Sequence, residues 1–133
     1  MVPVSFKTIS ERLKEMQLPR FDLVIGIGTG GIVPASLVAF HLNAELRVMV
    51  LNYRDEQNNP IYEDPKVISI PDDLQLPDRK ILLVDDVSVS GKTLQKAKEL
   101  LEGYDVTTFT MKGTADFVLF PEIKDCVRWP WKM

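Results

Sequence analysis

"ILLVDDVSVSGKT", residues 81–93, is the stretch whose reading decides what kind of chain this is. Its end, Gly91-Lys92-Thr93, is how a Walker A phosphate loop finishes, but that loop requires G-x-x-x-x-G-K-[ST], and the position of its first glycine is held here by Asp86. A carboxylate there repels the phosphates that bare backbone would cradle. The apolar run 81–84 reads as a buried strand. A strand that ends in Asp85-Asp86 and passes into a Gly/Ser/Thr turn therefore serves some other ligand.

Upstream, "FDLVIGIG" (21–28) is a second buried strand, and it runs through a glycine turn into "IVPASLVAFHL" (32–42), whose Val33, Leu37 and Phe40 recur at helical spacing. "LRVMVLNY" (46–53) is another buried strand, "RDEQNNPIYEDP" a polar loop, and "KVISI" (66–70) a short strand expected to pair with the end of 46–53. Downstream, "KTLQKAKELLEG" (92–103) presents Leu94, Ala97 and Leu101 on one helical face with Gly103 as its stop. "DVTTFTMK" (105–112) and "DFVLF" (116–120) follow as strands. At the N-terminus, Thr8 and Glu11 have capping-box spacing and Ile9, Leu13 and Met16 share a face, so a helix is expected over 8–17, ended by Pro19.

Strands that alternate with helices imply an α/β fold, a mostly parallel sheet with helices on both faces. Ligands of such sheets bind at the carboxyl ends of the strands. The two unusual turns, 26–31 and 85–93, both lie at such ends and are expected to be neighbours in space.

With 133 residues the chain is expected to form a single domain, 1–133, and a composition 45% hydrophobic and 26% charged is that of an ordinary globular protein. The formal net charge is −3 and no Lys/Arg run stands out, which argues against a nucleic-acid partner held by phosphate neutralisation. Cys126 is the one cysteine, so no internal disulfide forms. No segment has the length of a membrane span or the apolar core of a signal peptide, and a cytoplasmic location without membrane contact is expected.

"GIGTGG" (26–31) matches the dinucleotide fingerprint G-x-G-x-x-G, but that fingerprint wants an acid about 20 positions on at the next strand tip, where Asn52-Tyr53-Arg54 stands instead. The glycines can also be a tight turn without a ligand. Against that, four glycines in six residues lose much conformational entropy on folding, which suits a backbone that a ligand must approach closely. Asp85 and Asp86 can be surface carboxylates capping a helix. At a ligand site they would accept hydrogen bonds from a vicinal diol, or hold water on magnesium, a hard cation that prefers oxygen. The turn 88–93 opens a helix whose free N–H groups suit a phosphate, with the Ser88, Ser90 and Thr93 hydroxyls as further donors.

"ILLVDDVSVSGKT" resembles the signature of the type I phosphoribosyltransferases, and "GIGTGGIVPASLVA" resembles that family's pyrophosphate loop. The resemblance implies a phosphoribosyltransferase that uses phosphoribosyl pyrophosphate (PRPP) and a nucleobase. Asp85 and Asp86 would be the catalytic acids, facing the ribose hydroxyls and a hydrated Mg2+. Ser88, Val89, Ser90, Gly91, Lys92 and Thr93 would wrap the 5-phosphate, and Gly28, Thr29, Gly30 and Gly31 would lie against the pyrophosphate. The segment "MKGTADFVLFPEIKDCVRWPW" is similar to the end of the 6-oxopurine enzymes, which implies that Lys112 bonds the purine oxygen and that Phe117 or Val118 contacts the base. Relatives of this kind are commonly homodimers or higher homo-oligomers.

The sequence departs from the family pattern at Ser88, usually aliphatic; at Val89, where purine enzymes carry an aspartate general base; at Thr29, usually basic; and at Cys126, in place of a stacking aromatic. A PRPP-binding regulatory protein without the chemistry is the alternative these departures favour. Lys112 and Trp131 favour the enzyme. The loop 54–66, with Tyr53 and Tyr62, is readable as a lid over the site or as a plain surface hairpin.

Overall fold

The computed structural model of the chain describes residues 1–52, 66–69 and 79–132; the loop 54–66 readable as a lid, with Tyr53, lies outside the described residues except for Lys66, which begins a strand. The elements in chain order are β1 (Val2–Pro3), α1 (Phe6–Glu15), β2 (Leu23–Gly28), α2 (Ile32–Leu42), β3 (Glu45–Asn52), β4 (Lys66–Ser69), β5 (Lys80–Ser88), α3 (Lys92–Leu100), β6 (Asp105–Gly113), β7 (Phe117–Val118) and β8 (Val127–Arg128).

Among the described residues, six strands form one sheet in the order β4-β3-β2-β5-β6-β7, parallel throughout except for β4, which runs antiparallel to β3. The expected α/β architecture is thus the observed one. Alternation of side chains along the strands splits the core in two. Val24, Leu82, Val84, Phe109 and Met111 point to one face and pack with Ile9 and Leu13 of α1 and Ala35, Val38 and Ala39 of α2. Leu23, Ile25, Ile27, Ile81 and Leu83 point to the other and pack with Leu94 and Ala97 of α3. β2 is buried along its whole length, because it has strands on both edges and helices on both faces.

Three local expectations change. The first helix starts two residues early, at Phe6, because Ser5 caps it: the Thr8 N–H donates to Ser5 Oγ at 3.1 Å, and the helix ends at Glu15 ahead of Pro19. Phe40, expected on the packed face of α2, is 90% exposed. That helix packs instead through the small residues Ala35 and Ala39, with Ala35 so close to β2 that a side chain on Gly26 would meet its Cβ at 2.6 Å. Gly26 therefore serves helix–strand packing. Finally, the strand carrying the acids does not end at Asp86, as the sequence suggests, but pairs with β6 as far as Ser88.

The pairing of β1 with β8, each two residues long, brings the chain ends together. Such short segments carry no readable period. The C-terminal segment is tied to α1 by Arg12, whose guanidinium forks onto Glu122 at 2.8 and 3.0 Å, donates to the Leu119 carbonyl at 2.8 Å and lies 4.7 Å from the Phe120 ring centre. No helix among the described residues is long and apolar enough to cross a membrane.

Glu122, hydrogen-bonded by Arg12, is lowered from its ordinary 4.5 to about 2. Its contribution to stability is complete above the unfolded value and is lost as pH falls through the folded one. Arg12→Met is expected to lower stability by about 1–2 kcal/mol at neutral pH, most of it from the Leu119 bond and the Phe120 contact, since the exposed ion pair is screened. Urea denaturation should also show a part of the wild-type stability, absent from the variant, disappearing between the two pKa values. An unchanged midpoint would mean that Arg12 does not hold the tail.

Candidate functional site

β2 and β5 are adjacent and parallel, with Gly26 opposite Val84, so the turns that leave their carboxyl ends meet. The expectation that the two motifs are neighbours is met at atomic contact. A side chain on Gly30 would come within 2.7 Å of Asp86 Oδ2, and one on Gly31 within 3.1 Å of Asp85 Cα. Only a residue without a side chain lets the loop lie directly on the Asp86 carboxylate.

Each acid is fixed by its own strand. Asp85 is buried, 8% exposed, and its Oδ1 accepts the Asp86 N–H at 2.9 Å. Burial, and then the neighbouring Asp86 charge, push its carboxyl well above the ordinary range. Asp86 Oδ1 accepts the Val87 N–H at 2.8 Å, while Oδ2 receives the Lys132 ammonium at 2.9 Å. Thr110, fully buried on β6, donates its hydroxyl to the Asp86 and Lys112 carbonyls at 3.0 and 2.9 Å and so locks the backbone at the acids.

Beyond the acids the strand ends in the turn Ser88 to Gly91. Ser88 Oγ is buried without a hydrogen-bond partner, and the Thr114 N–H closes onto the Ser88 carbonyl at 2.9 Å. Val89 and Ser90 are exposed, Val89 at 77%. Gly91, at φ +80°, turns the chain into α3. Lys92 and Thr93 form the first turn of that helix, and the Lys92 N–H donates to Ser90 Oγ at 3.3 Å. The N-terminus of α3, with the positive end of its dipole, thus follows the acids closely along the chain.

On the other motif, Gly28 ends β2 in the core, the Gly28–Thr29 peptide is cis, Thr29 is exposed, and Gly31 leads into α2. Lys112 stands half-buried near the end of β6, opposite Val87 of β5. Phe117 and Val118 form β7 on the far side of β6, opposite Phe109 and Thr110. Phe117 packs against the α1/α2 core, so part of its role is structural.

Two residues at the acids, Thr110 and Lys132, carry no signal in the sequence. Thr110 sat in an alternating strand with nothing to mark it. Lys132 lies 46 residues from its partner, with no spacing rule to connect them.

Residues 8–112, most of the chain, match the family described as the phosphoribosyl transferase domain. The chain belongs to that family. This phosphoribosyl transferase domain is 31% identical over 94 residues to an orotate phosphoribosyltransferase of Sulfurisphaera tokodaii, covering 71% of this chain but 43% of that relative. It is 28% identical over 120 residues to a xanthine-guanine phosphoribosyltransferase of Chromohalobacter salexigens, covering 85% of this chain and 70% of the relative. The chain therefore spans less than half the length of the orotate relative. Its fold is that of a purine phosphoribosyltransferase structure from Pyrococcus horikoshii, with a TM-score of 0.78 at 23% identity over 99% of this chain and 93% of the other.

The contact between the glycine loop and the two acids is testable by substitution. Asp85→Asn, which keeps an acceptor and removes a buried like charge, is expected to raise stability on the order of 1 kcal/mol in metal-free buffer, read by denaturant unfolding; a loss of stability would contradict the unfavourable burial. Gly30→Ala is expected to destabilise the chain, and to do so less in an Asp86→Ala background. A coupling of at least about 0.5 kcal/mol in that double-mutant cycle would report the carboxylate contact, and additivity would deny it.

Proposed function

We propose that the chain transfers the 5-phosphoribosyl group of PRPP to a nucleobase, with a 6-oxopurine as the favoured acceptor, and releases pyrophosphate. The observation that carries this is the junction of three features at adjacent strand ends: a glycine loop lying on a carboxylate, two acids on one strand, and a hydroxyl-rich turn at a helix N-terminus. A sugar that bears a phosphate at one end and a diphosphate at the other, with a diol between, asks for those three features.

Magnesium fits the donors. Asp86 Oδ2 already holds a cation, the Lys132 ammonium, and the oxygens of Asp85 and Asp86 suit a hard ion. When bound, magnesium would offset charge on the leaving diphosphate.

The rest falls to the chain itself. The peptide groups of Gly28 to Gly31 line the diphosphate, Asp85 and Asp86 receive the ribose hydroxyls, and the amides and hydroxyls of Ser88 to Thr93 hold the 5-phosphate. Fixing the sugar at both ends positions its anomeric carbon for attack, and the two carboxylates favour the positive charge that develops as the bond to diphosphate breaks. Lys112, near the β6 end beside Val87, donates to an exocyclic oxygen of the base, which is what favours a 6-oxopurine; Val118 contacts the ring.

Val89, apolar and 77% exposed, accepts no proton. That observation favours a second reading, a PRPP-binding regulatory protein. Loss of a general base slows such a reaction by roughly two to four orders of magnitude without removing the positioning effects, so the enzyme remains the proposal.

Pyrophosphate release from PRPP and magnesium, measured against hypoxanthine, guanine, xanthine, adenine, uracil and orotate, is expected with a 6-oxopurine. Asp86→Asn is expected to reduce it at least about tenfold with unchanged unfolding, since a positioned charge contributes at least that much. Silence across the panel with PRPP bound would establish the regulatory reading.

A further inference from the structure

The loop Gly26-Ile27-Gly28-Thr29-Gly30-Gly31 contains no charged side chain, and it lies against two carboxylates. A diphosphate on this loop is a polyanion brought next to Asp85 and Asp86, and one divalent ion leaves the ensemble negative. Backbone amides alone do not supply the missing charge. The fold supplies it from the far end of the chain.

Lys132 reaches Asp86 Oδ2, the same oxygen that a side chain on Gly30 would strike, so its ammonium stands at the edge of the glycine loop. The segment that carries it is anchored by a backbone hydrogen bond and by aromatic packing. The Lys132 N–H donates to the Trp129 carbonyl at 3.1 Å, and Trp131 stacks on Trp129 with ring centres 5.3 Å apart and planes 3° from parallel. Trp129 is buried at 2% exposure and packs on Phe120, which Arg12 in turn covers. An ion pair in which the lysine is 53% exposed adds at most about 1 kcal/mol to stability, too little to explain so firm a platform for one ammonium.

We propose that Lys132 is a diphosphate-binding residue: a tethered cation that rests on Asp86 in the free protein and turns to the phosphoryl oxygens over Gly30 when the ligand arrives. Side-chain rotation suffices, because the ammonium is a mobile point charge with three donors on a flexible stem. The basic residue that the loop lacks in sequence is thereby provided in space. This inference rests on the proposed function and adds to it the residue that recognises the leaving group.

Titration calorimetry of the full chain tests it with two probes, inorganic pyrophosphate in excess magnesium and ribose 5-phosphate. Lys132→Gln is expected to weaken pyrophosphate binding about tenfold or more while changing ribose 5-phosphate binding less than roughly twofold, and Lys132→Arg to keep most of the pyrophosphate affinity, because a charge-assisted hydrogen bond is lost in the first and kept in the second. Unchanged or tighter pyrophosphate binding by Lys132→Gln overturns the inference, the latter meaning that the ammonium merely masks Asp86. Equal losses for both probes overturn it too, in favour of a structural role for the tail. If the wild-type chain binds neither probe, the proposed function fails with it; binding of both that is indifferent to Lys132 removes the inference alone.

Discussion

Two carboxylates next to each other on a central strand are the constraint around which this molecule is arranged. Asp85 is taken out of water and set beside a second negative charge, an arrangement that opposes folding unless something else holds the strand in place. What holds it is ordinary: β5 lies between β2 and β6, with apolar side chains on both faces up to the residue before the acids. The hydrophobic effect in the body of the sheet sustains an unfavourable electrostatic feature at its edge. Such a balance is typical of ligand sites, where charge is stored for a partner that arrives later.

The acids dictate their surroundings. Because Asp86 points at the neighbouring turn, that turn has no room for a side chain at Gly30. Because the strand must continue through the acids to aim them, β6 follows it as far as Gly113, and Thr110 of β6 ties down the carbonyl of Asp86. Because Asp86 retains one oxygen without a backbone partner, a cation collects there, and the chain provides Lys132. The packing of α1 joins the same chain of causes: Arg12 grips the C-terminal segment, and the stacked tryptophans carry Lys132 to the acids.

Each departure from the family pattern acquires a physical setting in the structure. Val89 projects into solvent from the turn, so the position that would hold a proton acceptor is apolar but not blocked. Ser88 is buried with an unpaired hydroxyl, a donor with no partner among the described residues. Thr29 leaves the loop uncharged, and Lys132 stands next to the gap.

The sequence alone determined the alternation of strands and helices, the mostly parallel sheet, the pairing of 66–69 with the preceding strand and the meeting of the two motif turns, because apolar periodicity and the topology of parallel sheets are local or nearly local rules. The Walker-like ending was also resolved there, from one residue, Asp86. Only the tertiary structure decided which face of α2 is buried, since apolar residues stand on more than one face of that helix and spacing does not choose among them, and it left Phe40 outside. It decided as well that Ser5 rather than Thr8 caps α1, that Gly26 lies against α2 while Gly30 lies on the carboxylate, and that Lys132 reaches Asp86. The reason is common to all four. Each depends on which atoms meet across space, between groups far apart in the chain or among competing local partners, and spacing along a sequence does not encode such contacts.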